Sequence, residues 1–469
     1  MLESSAREPF LQLDPAPGKY HKPKASPMVS DENGKHTKAA VPDLAVVRAF
    51  LRNWCHEEVA VDRIEISYLR LGAEGQVRLL FEAPAPDGQV LFLAARGAEA
   101  ASGRRLEARL NEQYTGSKPI SGFRKAAVYA PDLKLMFQIF PADYRLKSLP
   151  QAMDSDIMTP LLEAVLAGDS RSAKVEDVRV RVLKYKPERK CLVRYEIKWS
   201  GTAASGAPRF VYGRIVPPKR FTWTREILPR LHDAADGLVF DLPKPLGVFP
   251  GLCLELFGHL PGVVLFSLVQ AENFPARCRQ VGMGLRQFHA LPVTLEREWN
   301  VEAKVARLEE VAAEFSGMLP AEESRIRRVH GQLAARLQGV PPARSRLIHG
   351  DFHGDNVLVE GTRVGLVDFE DCRTGDPADD VGSNLAQLMW HTIKAGERRA
   401  LPEAGRREFL EGYFAEPDAA VLASLPAHAA MHCFLYGYQC LRHPRDAARY
   451  EDAEAMLRAC ETVLDRGIE

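Results

Sequence analysis

At 469 residues the chain is too long for one compact core and is expected to divide into two or three units. Its 62 Lys and Arg balance 62 Asp and Glu, which argues against a general nucleic-acid-binding surface. No uninterrupted apolar run of transmembrane length is present and the first forty residues hold no central apolar block, so neither a membrane partner nor a secretory signal is expected. The eight cysteines are dispersed and form no Cys-x-x-Cys pair, a pattern that fits free thiols in a reducing cytoplasm.

Residues 1–41 are polar and broken by Pro15, Pro17, Pro23 and Pro27, and read as a mobile tail. From Pro42 to Glu58 the apolar residues Leu44, Val46, Val47, Phe50, Leu51 and Trp54 recur at helical spacing. The chain then resembles itself. An alternating strand over Asp62–Arg70 has a counterpart over Asp177–Lys184, and each is followed by a turn and a second strand, Gln76–Glu82 and Cys191–Lys198. Third strands with a basic residue follow, Leu91–Arg96 and then Phe210–Ile215 with Arg214. Pro131–Phe137 parallels Pro250–Phe257, and Ser148-Leu149 falls where Ser267-Leu268 falls. Two like three-stranded units in tandem account for this pattern; chance likeness between alternating strands is the alternative. An accessory unit is therefore expected over 42–150, either a duplicate of the unit over 151–258 or an unrelated β-containing one.

After Phe257 the spacing turns helical, over Glu272–His289, Val301–Phe315, Ala321–Leu337, Val381–Ala395, Gly405–Phe414, Pro426–Leu441 and Asp452–Leu464. Two short strands, Val357–Val359 and Val364–Val367, interrupt this run. A β-rich front and a helical lobe over 259–469 make an α+β, two-lobed layout.

The most specific signal lies at the junction. Leu347-Ile348-His349-Gly350-Asp351-Phe352-His353-Gly354-Asp355-Asn356 is followed, twelve residues after its Asn, by Asp368-Phe369-Glu370. Phosphoryl transfer asks mostly for positioning and charge neutralisation, and an acid, an amide and a second acid supply both. Asp351 can accept the proton of an attacking hydroxyl; Asn356 and Asp368 can hold the divalent cations that neutralise a triphosphate. His349 and His353 would suggest a metal pair only on a helix, which Gly350 and Gly354 disfavour. No P-loop is present, and Gly282-Met283-Gly284 lies inside a helical pattern without a third glycine.

His349-Gly350-Asp351-x-x-x-x-Asn356, the Val367-Asp368-Phe369-Glu370 strand end and Gly375-Asp376-Pro377-x-x-Asp380 resemble the aminoglycoside phosphotransferase family, within the protein-kinase-like fold. The resemblance implies a bilobal fold with Asp351 as catalytic base and Mg2+ on Asn356 and Asp368. It also implies His349 and Asp380 as supports of the catalytic loop, although Asp380 reads equally as a helix N-cap after Gly-Asp-Pro. ATP or GTP would be the phosphoryl donor, and the acceptor a small-molecule hydroxyl of the aminoglycoside, sugar or amino-alcohol class. Oligomeric state is not legible.

The chain departs from the family at three places. The strand lysine that grips phosphate in kinases aligns with Arg214, a wider, bidentate cation. Its ion-pair partner is expected to be Glu226, on a helix-like stretch over Thr224–Asp233 that Pro229 interrupts. The nucleotide-covering turn Lys184–Lys190 holds no glycine, so Lys186, Arg189 and Lys190 either replace backbone amides with side-chain charge or form a solvated basic hairpin. The hinge is expected at Glu255-Leu256-Phe257-Gly258, with Glu255 and Phe257 beside the adenine edge. Glu370, Asp371, Asp376 and Asp379 make the site's edge negative, which suits a cationic acceptor or serves the metal site alone. These departures keep a second reading open, a catalytically weak nucleotide-binding regulator acting through its N-terminal unit.

Overall fold

Alternating apolar residues build two antiparallel five-stranded sheets at the front of the protein, and the two share one strand order. The first joins β1 (Glu65–Leu71), β2 (Val77–Pro84), β3 (Val90–Gly97), β4 (Ala127–Ala130) and β5 (Leu135–Ile139) in the order β1-β2-β3-β5-β4. The second joins β6 (Lys174–Lys186), β7 (Lys190–Ser200), β8 (Phe210–Ile215), β10 (Pro245–Phe249) and β11 (Leu254–Gly258) in the order β6-β7-β8-β11-β10. A helix follows the third strand of each, α2 (Ala100–Gln113) and α5 (Pro218–Ala234). The computed structural model describes residues 42–56, 59–71, 77–84, 90–114, 122–166, 174–200, 207–235, 238, 240–341 and 344–468. The expected tail over 1–41 lies outside the described residues.

The likeness of the sheets extends to register. Leu71 pairs with Val77 across the first hairpin and Tyr185 with Cys191 across its counterpart, the same spacing in each. Arg96 stands opposite Met136, as Arg214 stands opposite Glu255. Before the last strand, Lys134 (φ 48°) and Cys253 (φ 47°) both adopt the left-handed conformation. Each donates its N–H to a proline carbonyl three residues back, and each accepts from the residue two beyond the arginine, Ala98 or Val216.

α1 (Leu44–Arg52) is capped by Asp43 and buries Val47 and Leu51 in the core of the first sheet. α3 (Leu149–Met153) and α4 (Ser155–Leu166) lead into the second sheet. A shared core joins the two, with Leu80 and Phe92 of the first against Tyr185, Val193 and Leu256 of the second.

The rear lobe consists of α6 (Phe274–His289), α7 (Val301–Met318), α8 (Glu323–Gly339), α9 (Ala378–Ala395), α10 (Ala400–Tyr413), α11 (Ala419–Cys440) and α12 (Arg449–Arg466). Two small sheets at its front carry the acidic motifs. One contains β9 (Phe240–Asp241), β12 (Val263–Val264), β15 (Val357–Glu360) and β16 (Arg363–Leu366); the other contains β13 (Glu298–Trp299), β14 (Arg346–Ile348) and β17 (Arg373–Gly375). The result is an α+β, bilobal layout with a β-rich front and a helical rear.

Some elements differ from expectation. α5 runs through Pro229 without a break, because Ile227, Leu228 and Leu231 are anchored in the helical lobe's core. α2 buries only Gly103 and Leu110, too thin an apolar stripe to register as a helix. α11 is, by length and composition, apolar enough to cross a membrane; here Ala430, Met431, Phe434 and Tyr438 pack it into the core with α7, α8 and α12.

Gly282, in the pattern set aside above as a nucleotide signal, has a packing reason. A Cβ there would lie 2.2 Å from the Phe409 carbonyl oxygen, and one at Gly412 would lie 2.1 Å from that of Arg279, so α6 and α10 touch backbone to backbone. Gly282→Ala forces the helices apart and is expected to cost about 1–3 kcal/mol in urea denaturation, the range for overpacking. An unchanged midpoint would show that the crossing tolerates separation.

Candidate active site

The loop after β14 takes its shape from one buried carboxylate. Asp380 in α9 accepts from the backbone N–H of His349 (2.6 Å) and of Gly350 (2.8 Å), and His289 Nε2 backs it at 3.0 Å. The N-cap of α9 is Pro377, not Asp380, and Asp376 just before it accepts from Ala378 N at 2.9 Å. Gly350 (φ 79°) passes so close to the Asp371 carbonyl that a Cβ would lie 2.2 Å from it. His349 is fully buried and places Nε2 2.9 Å from the carbonyl of Val367, tying the loop to the strand end before Asp368.

Asp351, Asn356 and that strand end come together. Asn356 donates Nδ2 to the Asp351 carbonyl at 2.9 Å, and its own carbonyl accepts from Val367 N at 3.1 Å. The Asp351 carboxylate faces the cleft with His353 Nε2 at 3.8 Å. Burial alone would raise its pKa, but His353, Lys186 and His349 outweigh that and hold it well below the usual carboxylate range. Asp368 sits in the left-handed region (φ 69°), which Asp tolerates better than most residues.

The second sheet answers these acids with cations. Lys190, buried at the start of β7, places Nζ 2.7 Å from Asp368 Oδ2 and 2.8 Å from Glu370 Oε1. Lys190, Lys184 and Arg214 outweigh burial and keep the Asp368 carboxyl ionised far below its ordinary range. Arg220 of α5 adds contacts to Glu370 (3.4 Å) and Asp371 (3.0 Å). The basic turn is thus not a solvated hairpin: Lys190 is 3% exposed, and Lys186 is partly buried with its pKa lowered to about 8 by burial and by Lys184 and Lys190.

Two expected placements are corrected. Arg214 pairs with Glu255 on the adjacent strand β11, at 2.7 Å, and not with Glu226. Thr224 of α5 donates its hydroxyl to the same carboxylate. Arg220 and Thr224 share one helix face; Glu226, two residues past Thr224, points to solvent and among the described residues pairs with Arg225, at 3.6 Å. The Glu255 carboxylate is thus buried and engaged by Arg214 and Thr224, and strand pairing on both sides engages the backbone of β11. Phe257 is partly buried and stacks on Tyr212, centroids 6.0 Å apart. The acids expected to make the edge negative are paired internally: Glu370 and Asp371 as above, and Asp379 with His432 (3.2 Å) and Arg373 (3.9 Å). Cys372 is a fully buried core residue.

The donor set fits a magnesium ion that shares its coordination with phosphate. Asp368 and Glu370 already converge on a cation, the Lys190 ammonium, and the Glu370 Oε2 atom is buried without a hydrogen-bond partner. Among the described residues no group of three or more His, Cys, Asp and Glu could hold a metal unaided. That suits Mg2+, which keeps several waters and takes one or two carboxylates plus substrate phosphates.

Removing Glu255 strands a buried guanidinium. Glu255→Ala is expected to cost about 3–5 kcal/mol in denaturant unfolding, whereas Glu226→Ala stays within about 0.5 kcal/mol. Equal losses would sink the pairing described here.

No curated protein matches the chain. Among solved structures, a choline/ethanolamine kinase family protein from Mesorhizobium loti is 18% identical, covering 66% of this chain and 95% of its own, with a TM-score of 0.41. A thermostable mutant of aminoglycoside phosphotransferase APH(4)-Ia, in ternary complex with AMP-PNP and hygromycin B, is 15% identical over 65% of this chain and 98% of its own, with a TM-score of 0.43. The amicoumacin kinase hAmiN, in complex with AMP-PNP, Ca2+ and Ami, is 16% identical over 67% and 95%, with a TM-score of 0.43. The phosphotransferase enzyme family model matches residues 212–429, the span that carries Arg214, Glu255, Asp351, Asn356, Asp368 and Asp380. Over this span, and through these residues, the chain is similar to the phosphotransferase enzyme family.

Proposed function

We propose that the protein transfers the γ-phosphoryl group of ATP or GTP to a hydroxyl of a small molecule bound beside Asp351. The observation that carries this reading is the convergence of acid, amide and acid: Asn356 is bonded to the Asp351 backbone and to the strand end that carries Asp368. Asp351 orients the acceptor hydroxyl and takes its proton. The hydroxyl oxygen bonds to the γ-phosphorus as the bond to the bridging oxygen breaks, leaving the nucleoside diphosphate. Asn356 and Asp368 would hold Mg2+, which neutralises charge developing on the phosphates.

Lys190 takes the phosphate-gripping role, because its ammonium lies nearer Asp368 (2.7 Å) than does the guanidinium of Arg214 (3.9 Å), which is held by Glu255. With Lys186 it substitutes side-chain charge for the amides of a glycine-rich turn. Only Asp351 and Asp355 remain substantially exposed on the catalytic loop, at 44% and 43%. An amine-bearing acceptor would therefore meet these two carboxylates and not the wider acidic edge. The aminoglycoside, sugar and amino-alcohol classes all fit such a site, in a cytoplasmic setting. The catalytically weak regulator stays as a second reading because Lys190 occupies the space between Asp368 and Glu370.

Three measurements separate these readings. Asp351→Asn is expected to lower acceptor-dependent release of nucleoside diphosphate by about 10²–10⁴-fold, the usual worth of a general base, with magnesium-nucleotide affinity nearly unchanged. Retained turnover would refute the base assignment. Lys190→Met is expected to weaken nucleotide binding under the transferase reading; tighter binding of Mg2+ and nucleotide together would instead mark Lys190 as an occluding group. The third test concerns pH. Lys186 is charged below about 8 and neutral above, so kcat/KM for the nucleotide should fall as pH rises through that value. In Lys186→Arg the fall should vanish.

A further inference from the structure

The first sheet lies outside the matched span of the family, and none of its residues enters the site described above. Its strand order, its helix after the third strand, its hairpin spacing and its left-handed turn before the last strand all repeat the second sheet. In the second sheet, the space under the β6–β7 turn, beside Arg214 and the segment after β11, is where the proposed nucleotide lies. The corresponding space of the first sheet, beside Arg96 and the segment after β5, is filled by protein. The occupant is the tip of the β6–β7 turn itself.

Glu188 forms that tip, in the left-handed region at φ 61° and 4% exposed. Its carboxylate meets Arg96 Nη1 at 3.1 and 3.3 Å and Arg145 Nε at 3.8 Å. Its backbone N–H donates to Asp143 Oδ2 at 2.8 Å, and the Tyr185 hydroxyl donates to the same oxygen at 2.7 Å. Asp143 is fully buried, and its other oxygen accepts from the backbone of Arg145 and Leu146, both at 2.8 Å. Phe92 and Phe140 pack edge-on against Tyr185, at 5.7 and 5.0 Å. The same sheet also grips the helical lobe. Leu69 N donates to the Arg442 carbonyl at 2.9 Å, Arg70 reaches Glu314 at 3.3 Å, and Arg445 reaches Glu82 at 3.0 Å.

We infer that the first sheet is a second copy of the nucleotide-binding lobe whose own cleft holds the β6–β7 turn, and that Arg96 and Asp143, acting through Glu188, are positioning residues for that turn. This rests on the phosphotransferase reading. A turn without glycine cannot mould its amides to phosphate, so it must be held at a fixed height for Lys186 and Lys190 to reach. Glu188 stands to Arg96 as an anionic ligand would, and its anchor lies on the far side of the sheet from the reacting groups. Because the first sheet also holds α7 and the segment after α11, it braces the turn against the helical lobe across the cleft.

The test uses the full chain and the variants Glu188→Gln and Arg96→Gln, which remove the charge pair and leave the Asp143 bonds to the turn. Hydrogen exchange is read over residues 184–192, and magnesium-ATP is titrated before steady-state kinetics. Loss of a charged hydrogen bond predicts about tenfold faster exchange in the turn and about a tenfold higher KM for nucleotide, with a smaller change in kcat. A role in folding alone would lower the melting temperature without that split. Nucleotide binding by the wild type, with exchange and KM unchanged in both variants, overturns this inference alone. Wild-type protein that binds no magnesium nucleotide overturns both this inference and the phosphotransferase reading.

Discussion

Burying four charges in one cleft is tolerable only because each meets its opposite. Lys190 and Glu370 are 2.8 Å apart, Arg214 and Glu255 2.7 Å, and Asp368 accepts from Lys190 along the open side. An isolated ion in such a place would lose several kcal/mol of hydration, so removing any partner costs more than the pair itself contributes. The array also joins three parts of the chain that local propensity would leave independent: the β6–β7 hairpin, the β8–β11 pair and the loop after β16. The lobes are therefore registered to each other through charge. Under the proposed reading, the inter-lobe cleft would offer its cations to the phosphates of the ligand and its carboxylates to the accompanying metal.

How much of this was legible depends on how far apart in sequence the cooperating residues lie. Asp351 and Asn356 are five positions apart and bonded within one loop, so residue type and spacing almost dictate their geometry. The partner of Arg214 was not legible, because Glu255 is reached across a strand pairing 41 residues away. Glu226 had the right chemistry and the wrong helix phase: two positions past Thr224 the side chain leaves the buried face. Lys190 could be placed on the turn from sequence but not inside the cleft, since its burial depends on where Asp368 and Glu370 lie in the folded chain. α2 escaped notice because its buried stripe is two residues wide.

Charge bookkeeping within the site also changes what the acidic composition means. Glu370, Asp371 and Asp379 look in sequence like a surface inviting a cation, yet each is answered by Lys190, Arg220, Arg373 or His432. Their charge maintains the architecture under the catalytic loop. Under the proposed transferase reading, charge selection of an acceptor would fall to Asp351 and Asp355, which are partly solvated and therefore screened. Shape and hydrogen bonding would then carry more of the discrimination than net charge.

The two sheets show how one backbone plan supports two uses. Arg96 and Arg214 hold the same register position, and what differs is the residue across the next strand. Opposite Arg214 stands Glu255, which fixes the guanidinium within its own sheet. Opposite Arg96 stands Met136, which offers no charge, so the guanidinium must find its counter-ion outside the sheet and does so at Glu188. A buried or half-buried arginine without a partner is costly, and that cost is what draws the neighbouring turn into the first sheet's cleft. Exchanging one carboxylate for a thioether at that position thus separates a lobe that closes on its own arginine from one that clasps its neighbour.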